Sequence, residues 1–160
     1  MNKRLQEAIL EAKELGQFHL SEKIGEGAMG VVYRAEHKMM RRETALKLLK
    51  KDVLQDLDLQ LFEKEVQMTC RLTHPNTISI YDYGQTDEGI FYYAMEYLDG
   101  LSLRLLINDT GPLVASRAVY IMRKICASLN EAHNIGLIHR DIKADNIVLC
   151  KQAGIYDVVK

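Results

Sequence analysis

The sequence predicts an α+β fold: five strands with one inserted helix, passing into a helical C-terminal part. Three observations predict it. Short alternating or β-branched runs punctuated by glycine occupy residues 18–97, and a helical repeat of apolar residues interrupts them near 57–72. After Asp99-Gly100 the period becomes helical and stays so for most of the remaining chain.

At the N-terminus, Leu5, Ala8, Ile9, Ala12 and Leu15 fall on one helical face, so residues 1–17 read as an amphipathic leader helix. Strands are expected over Phe18–Ile24, Val31–His37, Glu43–Leu49, Thr77–Tyr83 and Ile90–Tyr97. Between the third and fourth, Leu57, Leu61, Phe62, Glu65, Met68 and Leu72 follow helical spacing, and His74-Pro75-Asn76 ends that helix. A short helix is expected near 101–108. A long one near 115–134 is marked by Ala118, Ile121, Met122, Ile125, Leu129 and Ala132. The expected division is therefore leader 1–17, β-rich part 18–98 and helical part 99–160.

With 160 residues, 48% hydrophobic and 27% charged, the chain has the composition of a globular domain with a real core. Its 21 basic and 22 acidic side chains give a net charge of −1, which provides no field for nucleic acid or an anionic membrane. Polar residues break Leu5–Leu15, so no signal peptide is read, and no apolar run approaches the roughly 20 residues of a membrane helix. Cys70, Cys126 and Cys150 are too scattered for a disulfide framework or a zinc site, which points to a reducing, cytoplasmic compartment. The sequon Asn108-Asp109-Thr110 is read as chance.

Gly25-Glu26-Gly27-Ala28-Met29-Gly30-Val31-Val32 lies between two expected strands, which excludes a dinucleotide fingerprint of strand, glycine turn and helix. Such a hairpin is either an ordinary turn or a cover that approaches phosphates closely because it carries no Cβ. Lys47, amid Ala45-Leu46, either reaches outward along its apolar stem or turns into a cleft to hold phosphates. In a cleft it needs a carboxylate partner. Glu65 shares the face of Phe62, Met68 and Leu72 and is the preferred partner; Glu63, on the solvated side, is the alternative. His139-Arg140-Asp141-Ile142-Lys143-Ala144-Asp145-Asn146 is a polar run between apolar Leu137-Ile138 and Ile147-Val148-Leu149. Asp141 can accept a proton from a hydroxyl, Lys143 can neutralise a transferring phosphoryl, and Asn146 can offer an oxygen to a hard metal ion.

Taken together and in this order, these motifs resemble the protein kinase family from about Phe18 to Lys160. The resemblance implies a kinase-like fold with its five strands antiparallel, ATP and Mg2+ as cofactors, and proteins bearing Ser or Thr hydroxyls as partners, since Lys143 two residues after Asp141 is typical of the Ser/Thr class. It implies catalytic roles for Asp141, Lys143, Lys47 and Glu65, and metal binding by Asn146. Nucleotide binding is implied for Ile24, Gly25, Glu26, Gly27, Ala28, Met29, Gly30, Val31, Val32, Ala45 and Lys47. The hinge residues Met95, Glu96 and Leu98 join them, with Val32, Ala45 and Val148 enclosing the purine.

His139 is implied to be structural. Ala144 departs from the family's usual proline. Asp157 is placed ahead of a final strand which, in the family, leads to Asp-Phe-Gly. The resemblance therefore implies a fragment whose helical lobe is incomplete, with missing parts that pack on residues 115–134, and little activity for the 160 residues alone. A non-catalytic nucleotide-binding or interaction module built on the same small lobe is the alternative.

Overall fold

A computed structural model of the chain describes residues 14–27, 30–49, 64, 66–86 and 89–160. They fall into two compact units, one within Met1–Val66 and Ile80–Tyr97, the other comprising Gln67–Ser79 and Leu98–Lys160.

The first unit is a six-stranded sheet with the order β1-β2-β3-β4-β6-β5. Its strands are β1 (Glu14–Leu15), β2 (Phe18–Glu26), β3 (Gly30–His37), β4 (Arg42–Leu49), β5 (Ile80–Gln85) and β6 (Phe91–Glu96), and all neighbours run antiparallel. One face buries Phe18, Leu20, Val31, Tyr33, Ala35, Leu46, Leu48 and Ala94, with Leu15 and Ile90 completing the core. The sheet curls enough for Gln17, in the turn after β1, to donate to Asp82 of the far edge strand at 2.8 Å.

The five expected strands are all present, and β1 is a correction. Leu15, expected on a leader helix, pairs with Phe18 across a turn at Gly16, whose φ of +53° suits glycine. Its side chain enters the core at 4% exposure. The rest of the expected leader lies outside the described residues, as do Leu57, Leu61, Phe62, Glu63 and Glu65 of the inserted helix. Described helical residues there are Lys64 and Val66–Thr69, so Leu72 lies beyond the helix.

The fourth expected strand starts three residues late, because polar contacts hold the preceding segment in the second unit. Glu131 accepts from the Thr73 and His74 backbone N–H groups at 3.0 Å each, and Thr77 Oγ1 meets Ser128 Oγ at 2.6 Å. Asn76 donates to the Val159 carbonyl at 2.7 Å.

The second unit contains helices α1 (Leu103–Thr110) and α2 (Ala115–Asn134) and the sheet β7-β8-β9, formed by Gly100–Ser102, Val148–Gln152 and Ile155–Val159. The expected helix near 101–108 begins later because residues 100–102 pair with β8. A Cβ on Gly100 would stand 2.4 Å from the Leu149 carbonyl oxygen, so only glycine permits that approach. Ser102 then caps α1 by accepting from Leu105 N at 3.2 Å. Ile121 and Ile125 of α2 pack with Leu103, Ile147, Leu149 and Val159, whereas Met122, read as part of the apolar stripe, is 52% exposed. No helix among the described residues is long and apolar enough to cross a membrane.

Hydrogen bonds from Thr73 N–H, then His74 N–H, hold the Glu131 carboxyl below its usual range. A carboxylate with a lowered folded pKa stabilises above its unfolded value of about 4 and loses that contribution as pH falls through the folded value. Glu131→Gln should therefore lower Tm at pH 7. In a calorimetric pH series the gap to wild type should close below about pH 4.

Candidate functional site

Strand alternation sorts the first unit's candidate residues by face. With Leu46 and Leu48 in the core, Ala45 and Lys47 point to the opposite face. Val32 pairs with Lys47 and Lys47 with Tyr93; one step along, Ala45 pairs with Met95. Val32, Ala45, Lys47 and Met95 thus share one surface. Val31, named with them from the sequence, is fully buried in the core, because adjacent strand residues point to opposite sides. Tyr93 was not singled out. Its ring centroid is 5.5 Å from Lys47 Nζ, and its i, i+2 spacing to Met95 is the signal that could have placed it on this face.

The three glycines of the β2–β3 hairpin have different reasons for being there. At Gly30 a Cβ would lie 2.1 Å from the Leu48 carbonyl oxygen, so packing of β3 on β4 demands glycine. At Gly27 a Cβ would meet nothing within 4 Å, and at Gly25 only Val32 Cβ at 3.9 Å. Neither has positive φ. The fold itself therefore does not require glycine at 25 or 27. Gly27 N donates to the Gly30 carbonyl at 2.9 Å, and Ala28 and Met29 lie outside the described residues. Ile24 is exposed and Glu26 pairs with Lys23.

In the second unit, the segment from His139 to Asn146 is organised around Asp141. Lys143 Nζ lies 3.0 Å from Asp141 Oδ2, and Asn146 Nδ2 donates to the same oxygen at 2.9 Å and to the Asp141 carbonyl at 2.8 Å. His139 Nδ1 accepts from Asp141 N at 3.3 Å, while Arg140 turns the chain at φ +64°. Residues 144–146 form a 3-10 turn, and Asn146 N donates to the Lys143 carbonyl at 3.0 Å. Ala144 fits this turn without proline and packs at the edge of the second core.

Two other acidic groups of the second unit are engaged. Asp145 pairs with Arg104 at 3.5 Å. Arg117 grips both oxygens of Asp157, at 2.8 and 2.6 Å. Asp157 lies within β9, not ahead of it as the sequence suggested, and turns at φ +58°. This pair spans 40 residues and has no local sequence signal.

The structure thus brings together Val32, Ala45, Lys47 and Met95 in one unit and Asp141, Lys143 and Asn146 in the other. Glu96 ends β6, Leu98 opens the second unit's main segment, and Val148 begins β8. Glu65 lies outside the described residues.

The Lys143 ammonium, then the Asn146 amide, hold the Asp141 carboxyl below the usual aspartate range. By NMR, the Asp141 side-chain carbon should titrate below an ordinary aspartate. Lys143→Ala should move that midpoint up; an unchanged midpoint would show that the contact is not maintained in solution.

Comparison with known proteins gives concordant matches. The family model described as the protein kinase domain matches residues 18–158. The chain is 38% identical over 138 residues to the serine/threonine-protein kinase pkn3 of Myxococcus xanthus, covering 86% of this chain and 25% of that protein. It is 39% identical over 135 residues to the serine/threonine-protein kinase PrkC of Bacillus subtilis, covering 84% and 21% respectively. The crystal structure of the PknI kinase domain of Mycobacterium tuberculosis superimposes with a TM-score of 0.78 at 30% identity, covering 86% of this chain and 57% of that one. The chain therefore spans a quarter or less of these two curated relatives and just over half of that solved kinase domain.

Proposed function

Because the chain belongs to the protein kinase family, we propose that it serves transfer of the ATP γ-phosphoryl group to Ser or Thr hydroxyls of proteins. One observation carries this reading. Lys143 and Asn146 both engage Oδ2 of Asp141, which leaves Oδ1 to accept from an incoming hydroxyl.

Asp141, kept ionised by Lys143, orients the acceptor hydroxyl and takes its proton as the new P–O bond forms and the bond to ADP breaks. Lys143 supplies positive charge to the transferring group. In the first unit, Gly25 and Gly27 leave space that a methyl would occupy, which suits a backbone lying close over phosphates. Lys47 supplies charge to them from the face it shares with Val32, Ala45 and Met95, which suit the purine.

For magnesium, the fit lies in Asn146. Its described hydrogen bonds from the side chain use Nδ2, so its carbonyl oxygen is available to a hard cation. Among the described residues no group of three His, Cys, Asp or Glu could form a protein cage, and magnesium on phosphates needs only one or two protein oxygens. When bound, the ion neutralises charge on the phosphates.

In this reading residues 18–98 carry the nucleotide and 99–160 the acceptor chemistry. Protein hydroxyls are the partners. The cytoplasm is the compartment, in keeping with three cysteines that no disulfide joins.

Calorimetry with Mg-ATP tests the binding half of the proposal. The 160-residue chain should bind; Lys47→Met and Gly27→Val should each weaken binding about tenfold or more, the scale of one lost charge-assisted phosphate contact. Gly27→Val should leave Tm unchanged, whereas Gly30→Ala should lower it. In a catalytically active polypeptide containing these residues, Asp141→Asn should cut transfer of γ-labelled phosphate by about 100-fold or more while leaving ATP affinity nearly unchanged. Equal binding by wild type and Lys47→Met would overturn the assignment of the pocket.

A further inference from the structure

Arg34 lies in β3 on the same face as Val32, and its cross-strand partner is Ala45, which pairs on its other side with Met95. It takes no part in the proposed transfer, yet its guanidinium meets Glu43, Glu22 and the Tyr97 ring. Its Nε donates to Glu43 Oε1 at 3.1 Å and its Nη2 donates to the same oxygen. Nη1 donates to Glu22 Oε1 at 3.3 Å. The guanidinium carbon stands 4.9 Å from the centroid of the Tyr97 ring. Its own carbonyl accepts from Ser21 Oγ at 3.0 Å.

Exposed ion pairs of this kind contribute little individually. Their geometric effect is larger: carboxylates on β2 and β4 hold the guanidinium from two sides, and its charge and flat surface suit an aromatic ring. Tyr97 directly follows β6 and sits between Glu96 and Leu98, the stretch read as the adenine-binding hinge. A backbone segment that must present its N–H and C=O groups to a base loses affinity if it wanders, and Arg34 reaches the Tyr97 ring in that stretch.

Resting on the nucleotide reading above, we propose that Arg34 is a positioning residue for adenine: through the Tyr97 ring it fixes the backbone that receives the base, beside the Ala45–Met95 row. It touches neither phosphate nor acceptor, so its effect is confined to the adenosine part of the ligand.

The test measures adenosine and inorganic tripolyphosphate separately, by calorimetry or competition, alongside Tm, in the 160-residue chain. Arg34→Ala and Tyr97→Leu should each weaken adenosine binding about two- to fivefold, the range expected of a partly exposed cation–π contact, with tripolyphosphate affinity unchanged. Tyr97→Phe, which keeps the ring, should bind as wild type, and the double variant should lose no more than either single one. Unchanged adenosine affinity, fully additive losses, or a joint fall in both affinities with Tm would each overturn the inference. Wild type that binds tripolyphosphate and adenosine at neither site would instead sink the nucleotide reading on which it rests. Should Arg34→Ala fail to fold, the contrast between Tyr97→Phe and Tyr97→Leu decides the question.

Discussion

The alternation of β4 governs the first unit. Burying Leu46 and Leu48 against Val31, Tyr33 and Ala94 fixes the register of the strand, and the pleat then has no choice about where Ala45 and Lys47 point. A slip of one residue would put Lys47 into the core. Deleting a buried leucine costs about 2–5 kcal/mol, whereas exposed ion pairs such as Arg34 with Glu22 contribute little. The core therefore sets the position of the candidate face, and the polar contacts refine what stands on it. Gly30 belongs to the same constraint, because the close seating of β3 on β4 holds Val32 opposite Lys47.

The second unit reaches a comparable result by other means. Its polar segment around Asp141 is exposed and has little apolar area with which to order itself, so order comes from local hydrogen bonds and from its anchors. Ile147 and Leu149 are tied into the core immediately downstream, and Leu103 N donates to the Ile147 carbonyl at 2.7 Å. Gly100 allows β7 to close on β8, while Arg117 holds β9 to α2 through Asp157. Asp141, Lys143 and Asn146 are then only required to satisfy one another.

Features with local causes were legible in the sequence. The strand runs, the two helices and the spacing of Asp141, Lys143 and Asn146 depend on periodicity or on residues within one turn of each other. What escaped depended on distant partners. Leu15 reads as helical until Phe18 and the curled core are present to receive it. Thr77 looks like a strand residue until Ser128 captures its hydroxyl, 51 positions away. Met122 fits an apolar stripe by spacing, yet the helix face that meets the core carries Ile121, Ile125 and Leu129 and leaves Met122 exposed. Val31 was grouped with Val32 by adjacency in a motif, which ignores the pleat that separates them. Tyr93 carries no motif at all, and the hinge stretch that contains Tyr97 says nothing of its ring; what marks the two rings is standing beside Lys47 and Arg34.

The electrostatics of Asp141 bear on how the proposed chemistry would run. A carboxylate held in its ionised form by an adjacent ammonium is a poor proton acceptor, which would be a weakness if proton removal had to come first. Phosphoryl transfer through a loose transition state does not demand that order, since the attacking oxygen carries its proton until bonding to phosphorus is well advanced. An ionised Oδ1 then serves chiefly to aim the hydroxyl, and charge-assisted hydrogen bonding makes that aim tighter than a neutral acid could. Lys143 accounts for both aspects of the arrangement. Its charge lowers the basicity of Asp141, and the same charge is available to the phosphoryl oxygens as they accumulate negative charge. In the proposed chemistry the ammonium on Oδ2 would leave Oδ1 to the hydroxyl, so the two functions would coexist without competing for one oxygen.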